Sequence, residues 1–318
     1  MNPRRIILML PLLLIPLITT PSPAQMSANP PEVGQKIRAL GVELTPELIE
    51  TTRKLYAPLL AAATKEGVKV VKDVKYGPDE RHVLDIYEPE KGPGPAPVLV
   101  FLHGGGFVRG DKAGEANIGT YFARHGVVVI IMNYRFAPKN QWPSGAEDIA
   151  SALRWIRENG GKHNGDTNRI FLMGSSAGSA HVASYVFFEE FQLKEGDGVA
   201  GAILFSGPTY DTSVLDEKKD AAYYGADKSK YPSMSVIDHV DGRKIPVFVV
   251  IAELDMPSII YQNYALVNAL YKRDKALPFI KVLIGHNHIS ETTHFNTKDE
   301  SAGPDILEFM RIHPAKAK

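Results

Sequence analysis

Apolar and polar positions fall in blocks along most of the chain. Eight short runs are rich in Val, Ile, Leu, Phe and Tyr, at 68–74, 82–87, 97–102, 127–132, 169–173, 199–205, 246–251 and 279–284. From the third onward the runs are almost wholly apolar and bounded by Gly or Pro, as strands buried on both faces are; such burial predicts a mostly parallel sheet covered by helices. The first two alternate more and flank the turn Gly77-Pro78-Asp79-Glu80, which predicts an antiparallel hairpin at the sheet edge. Helical periodicity fills the gaps at 114–125, 144–159, 177–190, 259–274 and 303–312. One more helix opens at Thr45-Pro46-Glu47-Leu48, with Thr45 as N-cap and Pro46 at the first helical position, and runs to about residue 63. The alternation predicts an α/β fold with an eight-stranded, mostly parallel sheet flanked by helices.

Three stretches depart from the alternation. Residues 26–45 read as a loose lead-in, so 25–67 form an N-terminal lead-in and cap helix ahead of a main domain over 68–318. Residues 208–244, between the sixth and seventh strands, are irregular and rich in Tyr, Asp and Lys, and read as an inserted cap or lid. Residues 1–24 combine Arg4 and Arg5, an apolar run over 6–18, and small residues at Ser22 and Ala24, the pattern of a secretory signal peptide. The run is short and broken by Pro11 and Pro16, so the expectation is a secreted or periplasmic protein without stable membrane insertion after cleavage; an uncleaved anchor is the alternative.

Composition narrows the picture further. The 318 residues include no cysteine, which excludes disulfides, thiolate metal sites and a lipid-anchored cysteine. A large domain does not need crosslinks to be stable. Basic and acidic residues number 36 each, and 34 against 36 once residues 1–24 are removed. That balance gives no support for binding nucleic acid or anionic membranes. Oligomeric state is not legible at this level.

The chemistry concentrates in four places. Gly174-Ser175-Ser176-Ala177-Gly178 directly follows the strand 169–173, and a helical pattern opens at Ala177. A strand-to-helix turn this tight needs glycine at both ends and pushes the central Ser176 into a strained, exposed position suited to a nucleophile. A structural small-residue turn is the alternative reading. His103-Gly104-Gly105-Gly106-Phe107 ends the third strand, where consecutive glycines let backbone N–H groups approach a substrate and hold a developing oxyanion. No Gly-Lys-Ser/Thr ending or Gly-x-Gly-x-x-Gly frame supports a phosphate cradle. An acid and a base should follow in that order. Glu253 and Asp255, after strand 246–251, both qualify as the acid; His286 and His288, after strand 279–284, compete as the base. A His-x-His pair also binds metals, but no clustered carboxylates or further histidines accompany it, so no metal is expected.

These residues resemble a known family. His103-Gly-Gly-Gly-Phe107, Asn133-Tyr-Arg-Phe-Ala-Pro138, Trp142-Pro-Ser-Gly-Ala-Glu-Asp148 and Gly174-Ser-Ser-Ala-Gly178 stand in the order seen in α/β-hydrolase esterases of the hormone-sensitive-lipase-like and carboxylesterase branches. The resemblance covers roughly residues 68–295. It implies the α/β-hydrolase fold, Ser176 as nucleophile, and the N–H groups of Gly105, Gly106 and Ala177 as oxyanion hole. It further implies Asp255 as acid, because Ala252-Glu-Leu-Asp-Met-Pro257 is similar to the family's Ala-Glu-x-Asp-Pro-Leu. His288 is implied as base, because His288-Ile-Ser290 is similar to His-Phe-Ser, and His103 becomes a structural member of its loop. Ser175 stands where the hormone-sensitive-lipase branch usually has Asp, and Met256-Pro257 replaces Pro-Leu. The implied activity is hydrolysis of a small-molecule carboxylic ester, short-chain or aryl, with no cofactor. Alternatives are an amidase, formamidase or peptidase with the same triad, and a non-catalytic binding protein of the same fold. Tyr210, Tyr223 and Tyr224 in the insertion are candidates for substrate contact or for lid packing.

Overall fold

The computed structural model describes residues 30–313, apart from 93, 197, 216 and 243; the expected signal segment 1–24 lies outside the described residues. In chain order the elements are α1 (Pro31–Ala39), α2 (Pro46–Ala61), β1 (Val68–Lys75), β2 (Val83–Pro89), β3 (Ala96–Leu102), α3 (Ala116–Arg124), β4 (Val128–Met132), α4 (Ser144–Asn159), β5 (Gly165–Ser175), α5 (Ala177–Phe187) and β6 (Gly201–Phe205), followed by α6 (Glu217–Tyr224), β7 (Val247–Leu254), α7 (Pro257–Asp274), β8 (Phe279–Asn287), α8 (Ser290–Thr293) and α9 (Gly303–Ile312). The eight strands form one sheet in the order β1-β2-β4-β3-β5-β6-β7-β8. β1 pairs antiparallel with β2 and β2 antiparallel with β4, while every pairing from β4 to β8 is parallel.

Strand alternation feeds two cores. Along β3, Val98, Val100 and Leu102 face one cluster with α4, α5 and α7, while Leu99 and Phe101 face another with α3 and α9. β4 divides its residues the same way, with Ile130 and Met132 on one side and Val129 and Ile131 on the other. Successive side chains of a strand point to opposite faces, so a sheet covered on both sides needs uninterrupted apolar runs. Each fully buried Ile, Leu or Phe contributes on the order of 1.5–3 kcal/mol relative to exposure.

Three elements exceed what the pattern predicts. The lead-in 26–45 contains α1, in which only Gly34 and Ile37 are buried, so no apolar stripe marks it. β5 begins four residues early, its polar start paired with Ala96 and Pro97 of β3. The insertion 208–244 is a helix, α6, among short 3-10 segments at Thr212–Val214, Lys228–Met234 and Val236–Asp238. Among the described residues, no helix is long and apolar enough to cross a membrane.

The sheet register places the chemistry. Ser175 pairs with Phe205 across β5 and β6, Phe205 with Val250 across β6 and β7, and Leu254 with Asn287 across β7 and β8. Residues 176, 206, 255 and 288 each directly follow one of these four adjacent parallel strands. They share the carboxyl edge of the sheet, where open α/β sheets bind ligands.

Candidate active site

The site is built around the turn between β5 and α5. Ser176 has φ 53° and ψ −122°, a backbone conformation that a non-glycine residue adopts at a cost of about 1–3 kcal/mol. A Cβ at Gly174 would lie 2.4 Å from the Gly178 carbonyl, and one at Gly178 would lie 2.2 Å from Leu102 O, so only glycine fits at either end. The turn is held from both sides. Ser176 N–H donates to Phe205 O at 2.9 Å, and the Ser179 hydroxyl lies 2.6 Å from Gly174 O and 2.8 Å from Phe205 O. Ser179 is thereby a brace, and Ser176 stands at the helix N-terminus, where the aligned peptide dipoles favour negative charge.

The glycine loop after β3 packs against this turn. A Cβ at Gly104 would sit 3.1 Å from Ser176 Cβ, a tight approach that shows how closely the loop lies beside the serine. Gly105, Gly106 and Phe107 all have positive φ, at 133°, 59° and 69°. Among the described residues, the N–H groups of Gly105, Gly106 and Ala177 have no hydrogen-bond acceptor. Three unspent donors around one serine are what a developing oxyanion requires. His103 anchors the loop: it is buried, stacks on Tyr134 at 4.4 Å, and its Nδ1 lies 2.6 Å from Gly104 O. Burial holds its imidazole down at about 4, so it stays neutral.

The acid and base alternatives separate clearly. His288 Nδ1–H donates to Asp255 Oδ1 at 2.7 Å, and both side chains are buried. His288 Nε2 has no hydrogen-bond partner among the described residues and is left for a reacting group. Burial opposes charging of this imidazole, but the Asp255 carboxylate outweighs it and raises His288 to about 9. Glu253 instead accepts from Arg38 of α1 at 2.8 Å and from Gly285 N–H at 2.7 Å, a structural tie between β7, β8 and the N-terminal helix. His286 lies within β8, with Nδ1 3.2 Å from Ser290 Oγ and Nε2 3.3 Å from Asp299 Oδ2.

The tyrosines of the insertion are packing residues in this arrangement. Tyr210, Tyr223 and Tyr224 are all buried, none more than 4% exposed. Tyr223 stacks on Phe107 at 4.3 Å and meets His181 Nδ1 at 3.0 Å, and Tyr224 OH pairs with Thr209 Oγ1 at 2.6 Å. A buried phenol needs such a partner. Stacked on Phe107, the insertion braces the glycine loop rather than offering these hydroxyls outward.

Two site residues escaped the sequence reading. Ser206, after β6, touches both Asp255 Oδ2 and Glu291 Oε2 through its hydroxyl. Glu291, on α8, is fully buried and its Oε1 accepts from Ser175 Oγ at 3.3 Å. Neither belongs to a motif; only a carboxylate three residues beyond His288 hinted at the second. Asp255, His288 and Glu291 bring ligand-type atoms within 4.8 Å of one another, but the Ser206 hydroxyl and the Asp255–His288 hydrogen bond already span them.

Solved structures share this architecture over about nine tenths of the chain. Esterase B from Lactobacillus rhamnosis superposes with TM-score 0.69, covering 88% of this chain and 95% of that one at 18% identity. A bacterial heroin esterase gives 0.68 over 92% and 99% at 20% identity. An esterase of the bacterial hormone-sensitive lipase family gives 0.65 over 90% and 99%, also at 20% identity. This chain has the α/β-hydrolase fold. A family model described as BD-FAE matches residues 84–198 of the chain, a segment containing the glycine loop and the Ser176 turn. Among curated proteins, the chain is 27% identical over 202 residues to a probable isoprenylcysteine α-carbonyl methylesterase of Arabidopsis thaliana, taking in 61% of this chain and 40% of that protein. It is 40% identical over 108 residues to esterase LipC of Mycobacterium tuberculosis, taking in 33% of this chain and 27% of that protein. The chain thus spans two fifths or less of the length of these curated relatives.

Proposed function

We propose that this α/β-hydrolase cleaves carboxylic esters through Ser176, His288 and Asp255, by way of an acyl-enzyme. The observation that carries the reading is the Asp255–His288 pair with Nε2 left over, on the same sheet edge as a strained serine surrounded by three free N–H donors. In its unprotonated form His288 takes the Ser176 proton on Nε2 as Oγ attacks the ester carbon, and the carbonyl oxygen becomes an oxyanion held by Gly105, Gly106 and Ala177 N–H. Asp255 keeps the imidazole in the Nδ1–H tautomer and stabilises the imidazolium that forms. The imidazolium then protonates the departing alkoxide, leaving an acyl-serine. Water, deprotonated by the same nitrogen, attacks the acyl-serine, and the acid leaves as the proton returns to Ser176.

The esterase names of the relatives support an ester over an amide, and the insertion packed against the glycine loop supports a small acyl group, short-chain or aryl. A panel of p-nitrophenyl esters of increasing chain length, methyl esters, aryl esters and formyl amides, run with wild type and Ser176→Ala, tests the reading. Short esters should turn over fastest, and the variant should lose on the order of 10³-fold or more in kcat. Equal hydrolysis by the variant would refute the nucleophile, and faster amide cleavage would replace the substrate class.

A further inference from the structure

A second carboxyl lies buried behind the triad acid, and the inference from it rests on the triad reading above. Four side chains from three strand ends and α8 form one chain of contacts, Ser175–Glu291–Ser206–Asp255, which closes on His288 after β8. Ser206 has φ 44°, a left-handed conformation rare for a residue with a side chain, and its hydroxyl sits between the two carboxyls. It also accepts the Ala252 N–H at 3.3 Å.

Counting protons decides the state of this chain. A serine hydroxyl has one proton, and here it faces carboxyl oxygens on two sides. With both acids ionised, one buried carboxylate oxygen would meet only a lone pair. One acid must therefore supply a second proton. Asp255 receives three donors, His288 Nδ1–H at 2.7 Å, Ala252 N–H at 3.2 Å and the Ser206 hydroxyl, which suit an ionised acceptor. Glu291 is fully buried and its hydrogen-bond partners are the hydroxyls of Ser175 and Ser206, with no cation among them. The proton belongs on Glu291.

We propose that Glu291 is a positioning residue acting as a neutral carboxylic acid, which donates to Ser206, accepts from Ser175, and so fixes Asp255 and His288 relative to the Ser176 turn. Burial, and next the nearby Asp255 charge, raise this carboxyl to about 8, against the opposing pull of His288. The groups facing it are few. β5 and β6 bring only the Ser175 and Ser206 hydroxyls, the loop after β7 brings Asp255, and the end of β8 brings His288. The insertion contributes Tyr210, itself pushed up by burial and in part by the Glu291 charge. From α2, packed against α8, Tyr56 reaches Ser290 rather than Glu291.

The experiment compares full-length wild type, Glu291→Gln, Glu291→Ala and Ser176→Ala on p-nitrophenyl butyrate, with kcat and KM measured from pH 5.5 to 9.5. A glutamine amide donates to Ser206 and accepts from Ser175 as the protonated acid does, so Glu291→Gln should hold kcat within about threefold at pH 7. Glu291→Ala should lose on the order of 30-fold or more in kcat with KM nearly unchanged, because Glu291 acts on the base through Ser206 and Asp255 and not on the ester. Wild type should also lose activity at the alkaline end as Glu291 gives up its proton, whereas Glu291→Gln should keep the rise that follows deprotonation of His288 and show no such fall. Three results overturn the proposal: a glutamine variant as impaired as the alanine one, an alanine variant as active as wild type, or an alkaline fall unchanged in Glu291→Gln. If Glu291→Ala does not fold, the glutamine pH profile decides alone. A dead Ser176→Ala with an unchanged alkaline fall in Glu291→Gln rejects only the role of Glu291; an active Ser176→Ala rejects the triad and this role with it.

Discussion

Two buried histidine–carboxylate pairs stand two residues apart at the end of β8, and they are built differently. In the first, His288 gives Nδ1 to Asp255 at 2.7 Å and keeps Nε2 unengaged. In the second, His286 spends both nitrogens, Nδ1 near Ser290 Oγ at 3.2 Å and Nε2 near Asp299 at 3.3 Å and Ser301 Oγ at 3.4 Å. His286 is completely buried and packs 4.9 Å from the ring of His294, whereas His288 keeps 7% exposure. A carboxylate partner is therefore not what makes a base. The difference lies in whether one ring nitrogen is left over.

Single substitutions should break the two pairs in different currencies of measurement. His288→Ala removes the proton acceptor and should lower kcat/KM on the order of 10³-fold or more even in protein that remains folded. His286→Ala leaves a cavity and takes one contact from buried Asp299, whose Oδ1 keeps Ser301, so it should cost about 2–4 kcal/mol of stability while kcat stays within about tenfold. Urea unfolding beside kcat/KM on both variants checks this. Loss of turnover in His286→Ala with a stable fold would exchange their roles.

The same contrast has a smaller signature in the pH dependence of stability. Burial lowers His103 to about 4, His181 to about 3 and His294 to about 4. A depressed folded value means the contribution is present above the unfolded value near 6.5 and is lost as pH falls toward the folded one. At pH 5 the loss is about 2 kcal/mol for each such histidine. His288 runs the other way, since its raised value contributes below about 6.5 and fades as pH rises through about 9. Thermal unfolding at pH 7 and pH 5 should show a clear fall in Tm on acidification, and an unchanged Tm would mean that these three rings are not held neutral by burial.

Much of this was legible because the signals are local. The two-faced burial of β3 to β7 demands apolar runs, and the Gly174–Gly178 turn demands glycines whose Cβ atoms would collide with backbone. The choice between Asp255 and Glu253, or between His288 and His286, depends on which partner each side chain meets across strands, so the residues alone left both open. α1 was invisible because it buries only two positions. Ser206 and Glu291 were invisible for a deeper reason. Their role exists only where the ends of β5, β6, β7 and β8 converge, and neither belongs to a motif that marks it. The tyrosines 210, 223 and 224 could be seen as aromatic, but whether their hydroxyls turn inward is a matter of tertiary packing.

The most direct test of the central claim is covalent. An aryl phosphonate or phosphate ester that reacts with activated serines should label the wild-type chain once, and mass spectrometry of the peptides should place the adduct on Ser176 rather than Ser175 or Ser179. Labelling should vanish in Ser176→Ala, slow on the order of 10³-fold in His288→Ala, and proceed at nearly the wild-type rate in His286→Ala. An adduct on another serine, or equal labelling of His288→Ala and wild type, would contradict the account.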